Sequence, residues 1–433
     1  MASSRKSLAS PKASKRIAVA LSGGLDSVVL LDMVCQVNQN KNATTEVWAF
    51  HIHHGLQKSA DEWFKFCEKL AKKYKIHFDF RLLNLSQEQT QGNIEARARA
   101  GRYEALGDLC VDHGIKDLLL AHHQNDQAET VLLQLLRGAG VAGLSGMPQD
   151  RVLHAKDQEI TLWRPLLNQS KEELEAYAKV HQLKWIEDPS NQNTHFRRNA
   201  IRKHIIPRLA KIQPEAIANI ARSAELLAES QALLDRLAIQ DGAAILNERT
   251  LCLMPLLNLA KRDLPAANNL MRYWLKINGL GMPSHERLES WWKDLYKVKA
   301  DASLEWVHDE ASIRLWRGIL QVATTTLGEW TFKAIPTKSE ELGLPEQFVK
   351  EAQKQGLISL RERKGSEKIQ IKPNSPRKTL KNLFQEADMP PWERQAPLLY
   401  IGDELIAVAG IGVSYPRLLT SGKRVMPLWV EKR

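Results

Sequence analysis

A chain of 433 residues, 43% of them hydrophobic, has the length for roughly two to four domains with sizeable cores. Its formal net charge of +11 favours a polyanionic partner, nucleic acid first. No apolar run approaches the roughly 18 residues of a membrane span, so no membrane association is expected. The four cysteines, Cys35, Cys67, Cys110 and Cys252, form no C-x-x-C pair. That argues against structural zinc or an iron–sulfur cluster and fits a reduced, cytoplasmic setting.

Residues 1–15 are rich in Ser, Lys and Ala without an apolar core, and read as a disordered tail rather than a signal peptide. An apolar run, Ile17-Ala18-Val19-Ala20, then leads into Leu21-Ser22-Gly23-Gly24-Leu25-Asp26-Ser27, and a second run starts at Val28. The order reads as strand over 16–21, glycine turn, helix over 25–37. The pattern predicts further strands at 46–54, 76–83 and 117–122, alternating with helices at 59–74, 92–113 and 124–137. Such alternation implies βαβ units and a doubly wound, mostly parallel sheet, with ligands at the carboxyl ends of the strands. The glycine loop, the His51–Leu56 run and the His122–Glu129 run all follow strand ends and can meet in one crevice.

A glycine-rich loop at 138–144 follows, then Leu162-Trp163-Arg164-Pro165-Leu166-Leu167, a helix over 170–181 opened by a Ser170/Glu173 capping box, and an extended piece at 184–187. A basic segment holds Arg197, Arg198, Arg202, Lys203, His204 and Arg208, with Arg198 and Arg202 one helical turn apart. From Pro214 a long helical pattern leads into a mostly helical middle domain with Trp274, Trp291, Trp292, Trp306 and Trp316, which read chiefly as core, with one or two open to stacking on bases. The expected domains are a catalytic α/β domain at 16–212, a helical domain at 213–321, a linker at 322–350 and a small basic α+β domain at 351–433. In the last, strands at 398–401 and 405–409 flank a Gly402-Asp403 turn. Arg377, Lys378 and Lys381 stand in its densest basic stretch, where an RNA contact competes with a merely solvated face.

The chemistry follows from residue types. Two glycines let successive N–H groups face one concavity, and the helix beyond adds its positive end, which suits an anion. Ser22 and Ser27 add hydroxyls, and Asp26 can hold Mg²⁺ beside phosphates. No Gly-Lys-Ser/Thr closes the loop, so it is not a Walker P-loop. Asp126 and Glu129, three apart at a helix start, share a face and can hold Mg²⁺ or a substrate ammonium. Acids there also complement the helix dipole, but His122 and His123 at the preceding strand end favour a site. Of the two, His122 is expected to face the crevice. Arg99 and Arg102 can reach phosphate or RNA, or pair with Glu95. His51, His53 and His54 find no partner at familiar zinc spacing and read as crevice lining.

Ser22–Ser27 resembles the signature of the PP-loop, or N-type, ATP pyrophosphatases, which implies ATP binding by Ser22, Gly23, Gly24, Leu25, Asp26 and Ser27 and cleavage to AMP and pyrophosphate. Further runs stand in one order: His53-His54-Gly55-Leu56; Glu95 with Ala98-Arg99 and Arg102-Tyr103; His122-His123 with Asp126 and Glu129-Thr130; Arg137-Gly138-Ala139-Gly140 with Gly143-Leu144; and Asp188-Pro189-Ser190-Asn191 with Arg198-Asn199 and Ile201-Arg202. With Arg377-Lys378-Thr379-Leu380-Lys381, Phe384-Gln385-Glu386 and Pro390-Pro391-Trp392 in the tail, the chain resembles the bacterial tRNA(Ile)-lysidine synthetases over nearly its whole length.

The resemblance implies a ligase that uses ATP with Mg²⁺, free L-lysine and tRNA(Ile) bearing a CAU anticodon. The C2 oxygen of cytidine 34 is adenylylated, and the ε-amine of lysine then displaces AMP. Asp126, Glu129, His122 and Arg99 become candidates for catalysis or for binding lysine and Mg²⁺. Arg198, Arg202, Arg377, Lys378 and Lys381 become candidates for tRNA binding, and a homodimer is compatible. Where many members have Val-Asp-His-Gly-Leu-Arg, this chain has Ile52-His53-His54-Gly55-Leu56-Gln57, and Asn125 stands where many have Asp, so neither place is assigned a catalytic role.

A thiolase of the same superfamily would need a cysteine pair or a catalytic cysteine. An amidating ligase would be expected to carry a cysteine after the initiator Met, where Ala2 stands. A non-catalytic RNA-binding protein with a relic pocket would not need Ser22, Asp26, Asp126 and Glu129 together.

Overall fold

The computed structural model describes residues 15–40, 45–53, 58–83, 94–187, 193–298, 304–323, 328–337 and 339–431. The expected tail at 1–15 lies outside them except for Lys15, as do His54–Gln57 and Asp188–Asn191. The chain divides into two compact units, 1–234 and 235–433.

The first unit runs β1 (Arg16–Ala20), α1 (Leu25–Asn40), β2 (Glu46–His53), α2 (Lys58–Tyr74), β3 (His77–Leu82), α3 (Ile94–Asp112), β4 (Asp117–Leu119), α4 (Gln124–Leu135), α5 (Val141–Leu144), β5 (Asp150–Ala155), β6 (Gln158–Trp163) and α6 (Lys171–Val180). The sheet order is β3-β2-β1-β4-β6-β5. All pairs are parallel except β5–β6, a hairpin that closes the edge. Strand alternation explains why both faces are covered: Val19 and Ala49 point into a core with Leu31, Cys67, Leu70 and Ala178 of α1, α2 and α6, while Ala18 and Phe50 point into a core with Leu106, Leu109 and Cys110 of α3. The expected doubly wound sheet is present. The β5–β6 hairpin was not expected from the sequence; β5 lies at the edge and leaves Val152 in water, so its pattern carries little apolar signal.

The basic segment folds as α7 (Arg197–Ala200), one turn of π-helix (Ile201–Ile205) and α8 (Ile206–Ile212). Pro207 explains the wide turn. It has no N–H, and its ring would crowd the carbonyl four residues back, so the ladder loosens to an Ile206 N–H bond onto Ile201 five residues earlier. Helix α9 (Ala216–Asp241) carries the chain into the second unit.

There, α10 (Leu253–Arg262), α11 (Leu264–Ile277) and α12 (His285–Lys297) pack on a sheet absent from the sequence-based expectation. It comprises β7 (Leu246–Asn247), β8 (Thr250–Cys252), β9 (Leu304–His308), β10 (Ala311–Trp316) and β11 (Ile319–Ala323), ordered β7-β8-β11-β10-β9. The middle region therefore adds five strands to its helices. Trp274, Trp291, Trp292 and Trp306 are buried in this core, Trp291 stacked on Trp306 at 4.9 Å. Trp316 is only half-buried.

The stretch expected as a linker is structured: β12 (Gly328–Ile335) and β13 (Leu344–Pro345) both pair with the far strand of the chain. Beyond come α13 (Glu346–Lys354), β14 (Ile358–Arg361), β15 (Lys368–Ile369), β16 (Lys378–Thr379), α14 (Leu380–Glu386), β17 (Leu398–Ile401), β18 (Glu404–Val408), β19 (Gly412–Val413) and β20 (Arg424–Glu431). The sheets are β12-β20-β13, β14-β17-β18-β19 and β15-β16. Local apolar pattern could not reveal β12, whose partner lies about a hundred residues away in sequence.

Trp274 is fully buried, and its Nε1–H donates to the Arg249 carbonyl at 2.7 Å. Trp274→Ala should therefore lower stability by about 3–5 kcal/mol, read as a fall in the urea midpoint of the second unit.

Candidate active site

The strand order reverses between β1 and β4, which makes their carboxyl ends a switch point where ligands of parallel sheets bind. The two segments that the sequence marked for chemistry, Ser22–Ser27 and His122–Glu129, follow these adjacent strands.

The loop after β1 turns on Gly23. Gly23 sits at φ +90°, and a Cβ there would press on Cys67 Sγ at 3.3 Å. Its carbonyl accepts from Ile186 N at 2.9 Å, so the extended piece at 184–187 backs the loop. Ser27 is buried, and its hydroxyl donates to the Gly24 carbonyl at 2.9 Å and accepts from Gly23 N at 3.2 Å. Ser22 Oγ lies 3.1 Å from Ser27 Oγ. Ser27 thus acts inside the loop, tying it shut, while Ser22 stays at the surface. Leu25 opens α1 and packs against its core. Asp26 Oδ1 is buried with no partner. An orphaned carboxylate oxygen beside a phosphate cradle fits a hard divalent cation such as Mg²⁺, though Asp26 is the only carboxylate in the loop.

Across the crevice, His123 caps α4. Its Nδ1 accepts from Asn125 N at 3.2 Å, and Asp126 Oδ2 returns a bond to the His123 N–H at 3.1 Å. The other ring nitrogen, Nε2, lies 3.6 Å from Asp26 Oδ2 and 3.6 Å from Asp126 Oδ2. Burial pulls the His123 pKa down, but the Asp26 and Asp126 carboxylates outweigh it and leave the ring raised above 6.5. The sequence favoured His122 as the ring facing the crevice; His123 is the one that bridges the two acids. His122 keeps a buried Nδ1 without a partner, and burial, with the Arg164, Arg198 and Arg99 charges, pushes its pKa down to about 4.

Glu129 is 1% exposed, and both its oxygens are taken: Arg198 Nε at 2.7 Å, Arg202 Nε at 2.6 Å and Arg202 Nη2 at 2.9 Å. Arg198 Nη2 also reaches Asp126 Oδ1 at 2.8 Å. Burial opposes the Asp126 charge, but His123 and Arg198 prevail and hold its carboxyl below the usual range. The two arginines read from the sequence as phosphate contacts therefore grip the acid pair read as a lysine or Mg²⁺ site. The reason is desolvation: acids buried at one helix start need cations, and the basic segment supplies them.

Asn125, one of the departures noted above, has a structural task, its Oδ1 accepting from Lys171 N at 3.2 Å. Among the other candidates, Arg99 is exposed and stacks over Tyr103 at 5.5 Å. His51 Nδ1 lies 2.8 Å from the Leu21 carbonyl and braces the strand below the glycine loop, and His53 Nε2 meets Asp61 at 3.0 Å. Among the described residues no group of three or more His, Cys, Asp and Glu side chains is arranged to hold a metal ion by itself. Burial pushes the Cys35, Cys67 and Cys110 thiols up to about 12, so none is a ready nucleophile. In the second unit Lys378 is paired with Glu386 at 2.8 Å, Lys381 is exposed, and Arg377 lines a cleft of about 490 Å³. Sequence reasoning missed Arg164, 4% exposed at the end of β6, and its only signal was a strand-end position.

A glycine cradle with an acidic residue at the switch point of a parallel sheet defines a PP-loop domain, and a family model described as PP-loop domain matches residues 1–209. Models described as TilS substrate binding domain and TilS substrate C-terminal domain match 255–321 and 358–421. The tRNA(Ile)-lysidine synthase of Ralstonia nicotianae is 36% identical over 424 residues, covering 92% of this chain and 88% of that one. The protein of the same name from Serratia proteamaculans is 35% identical over 434 residues, covering 97% of both chains. The chain belongs to the tRNA(Ile)-lysidine synthase family.

The two carboxylates around His123 make a direct test. Asp26→Asn should move the His123 ring titration downward from above 6.5, because burial then meets less opposition. The ring-proton chemical shift against pH measures it, and an unmoved midpoint would separate Asp26 from His123.

Proposed function

We propose that this protein joins the ε-amine of lysine to C2 of cytidine 34 in the CAU anticodon of tRNA(Ile), using ATP and releasing AMP and pyrophosphate. The observation that carries this reading is His123 Nε2, 3.6 Å from Asp26 at the phosphate loop and 3.6 Å from Asp126 on the acid helix. Nucleotide side and acceptor side meet at one ring.

In the first step the cytidine C2 oxygen bonds to the α-phosphorus of ATP and pyrophosphate leaves. The loop of Ser22, Gly23, Gly24, Leu25, Asp26 and Ser27 cradles the phosphates, and Asp26 would hold Mg²⁺, which supplies charge neutralisation there when bound. In the second step the amine bonds to C2, the C2–O bond breaks with AMP as leaving group, and the amine loses a proton. His122, uncharged at neutral pH, offers its unpartnered Nδ1 to that amine. Asp126 and Glu129 bind the lysine ammonium only by giving up part of the hold of Arg198 and Arg202. The same arginines, once released, can turn to RNA phosphate. Arg99 adds a cation on the acceptor side. Arg377 and Lys381 offer a second, remote grip on the tRNA, and Lys378 contributes less because Glu386 already neutralises it. A homodimer is compatible with this reading.

Purified protein with ATP, Mg²⁺, labelled lysine and CAU-anticodon tRNA(Ile) should yield AMP, pyrophosphate and labelled tRNA. Asp26→Asn should cut pyrophosphate release by about a hundredfold with the melting midpoint unchanged; near-normal release would remove Asp26 from the metal role. In the second unit, Lys381→Glu should weaken tRNA binding and lower its salt slope by about one or more. Lys378→Glu should do so less, and equal effects in filter binding would dismiss the Glu386 pairing as a discount.

A further inference from the structure

At the β6–β5 end of the crevice, three arginines gather on one tyrosine without a carboxylate partner among the described residues. Arg99 Cζ lies 5.5 Å from the Tyr103 ring centre and Arg151 Cζ 5.6 Å from it. Arg99 Nη2 approaches the Tyr103 hydroxyl at 3.4 Å, and Tyr103 also acts electrostatically on Arg164. Arg164 is 4% exposed. One Nη of Arg164 donates to the Pro148 carbonyl at 2.7 Å, which fixes the side chain, while its Nε is buried with no partner.

Ordinary folding does not favour this arrangement. Buried cations are expected to be paired, and a buried donor left open is costly. Here burial lowers the Arg164 pKa, Tyr103 opposes that, and the neighbouring Arg151 and Arg99 lower it further. A phosphate oxygen would relieve both the open donor and the like-charge crowding, and planar guanidiniums beside a phenol suit it.

The position selects the kind of phosphate. Arg164 follows β6, and Arg151, second in β5, stands opposite Leu162 of β6, so both lie at the carboxyl edge. Strand β6 is two places from β1, about 10 Å, so this seat is distinct from the loop that cradles ATP phosphates. His122, which feels the charges of Arg164 and Arg99, lies between. Arg99 and Arg151 are exposed, so the seat opens to a long ligand.

We propose that Arg99, Tyr103, Arg151 and Arg164 seat a backbone phosphodiester of the RNA strand whose base reacts at His122, a role that rests on the RNA-acceptor reading above. The seat fixes the strand's register and carries no base preference.

The test uses full-length protein, a CAU anticodon stem–loop RNA and a KCl series. Arg151→Ala, an exposed change, should raise the RNA Kd about threefold to tenfold and lower the salt slope by about one, with ATP Kd and melting midpoint unchanged. Arg164→Lys should weaken RNA binding with its charge kept, because the fork is lost. Unchanged RNA Kd and slope in Arg151→Ala would overturn the proposal. So would weaker inhibition by inorganic pyrophosphate with RNA affinity intact, which would give the cluster to the leaving group. Wild-type protein that fails to bind the stem–loop overturns it as well, whereas RNA bound without lysine transfer overturns only the reaction above.

Discussion

The site depends on pairing two carboxylates that are held away from water. Asp126 and Glu129 sit at the buried start of one helix, where a carboxylate without a partner is costly. Arg198 and Arg202 prevent this with bonds of 2.6–2.9 Å, and His123 adds its ring from the helix cap. The same contacts bring the chain beyond residue 193 back to the carboxyl edge of the sheet. Charge pairing and chain path are one constraint here: a helix of otherwise ordinary length is held in place by the ion pairs that its own acids make.

That clasp also has the form of an occupied site. Each guanidinium hydrogen bond satisfies an oxygen that the lysine amine of the proposed reaction would need, so that proposal implies exchanging one cation for another within the same low-dielectric space. Such an exchange costs less than desolvating a bare carboxylate pair. The π-helical turn at Ile201–Ile205, forced by Pro207, puts Arg202 on a widened stretch of the backbone ladder.

Much of this was legible in the sequence. Continuous apolar runs and helical spacing placed the alternating strands and helices of the first unit, and the Ser22–Ser27 and His122–Glu129 segments were marked by residue type and spacing. Other features were not legible. The ring nitrogen facing the acids depends on which of two adjacent histidines caps the helix, and pattern favoured the other. The partners of Arg198 and Arg202 depend on tertiary approach, because an arginine pair on one face reads equally as a phosphate or a carboxylate grip. The strand at Gly328–Ile335 finds its partner only at Arg424–Glu431, and the middle sheet hides among short strands whose apolar residues also suit helices. Long-range pairing leaves no local trace.

That distant pairing bears on biosynthesis. The crevice residues and their arginine clasp lie within the first 205 positions, so the catalytic unit can assemble while the rest of the chain is still on the ribosome. Strand β12 must wait for β20, which means that its edge stays open until residue 431 has emerged. Translation thus delivers a nucleotide crevice well before it delivers the finished C-terminal sheet, and a nascent chain stalled between the two would carry the first without the second.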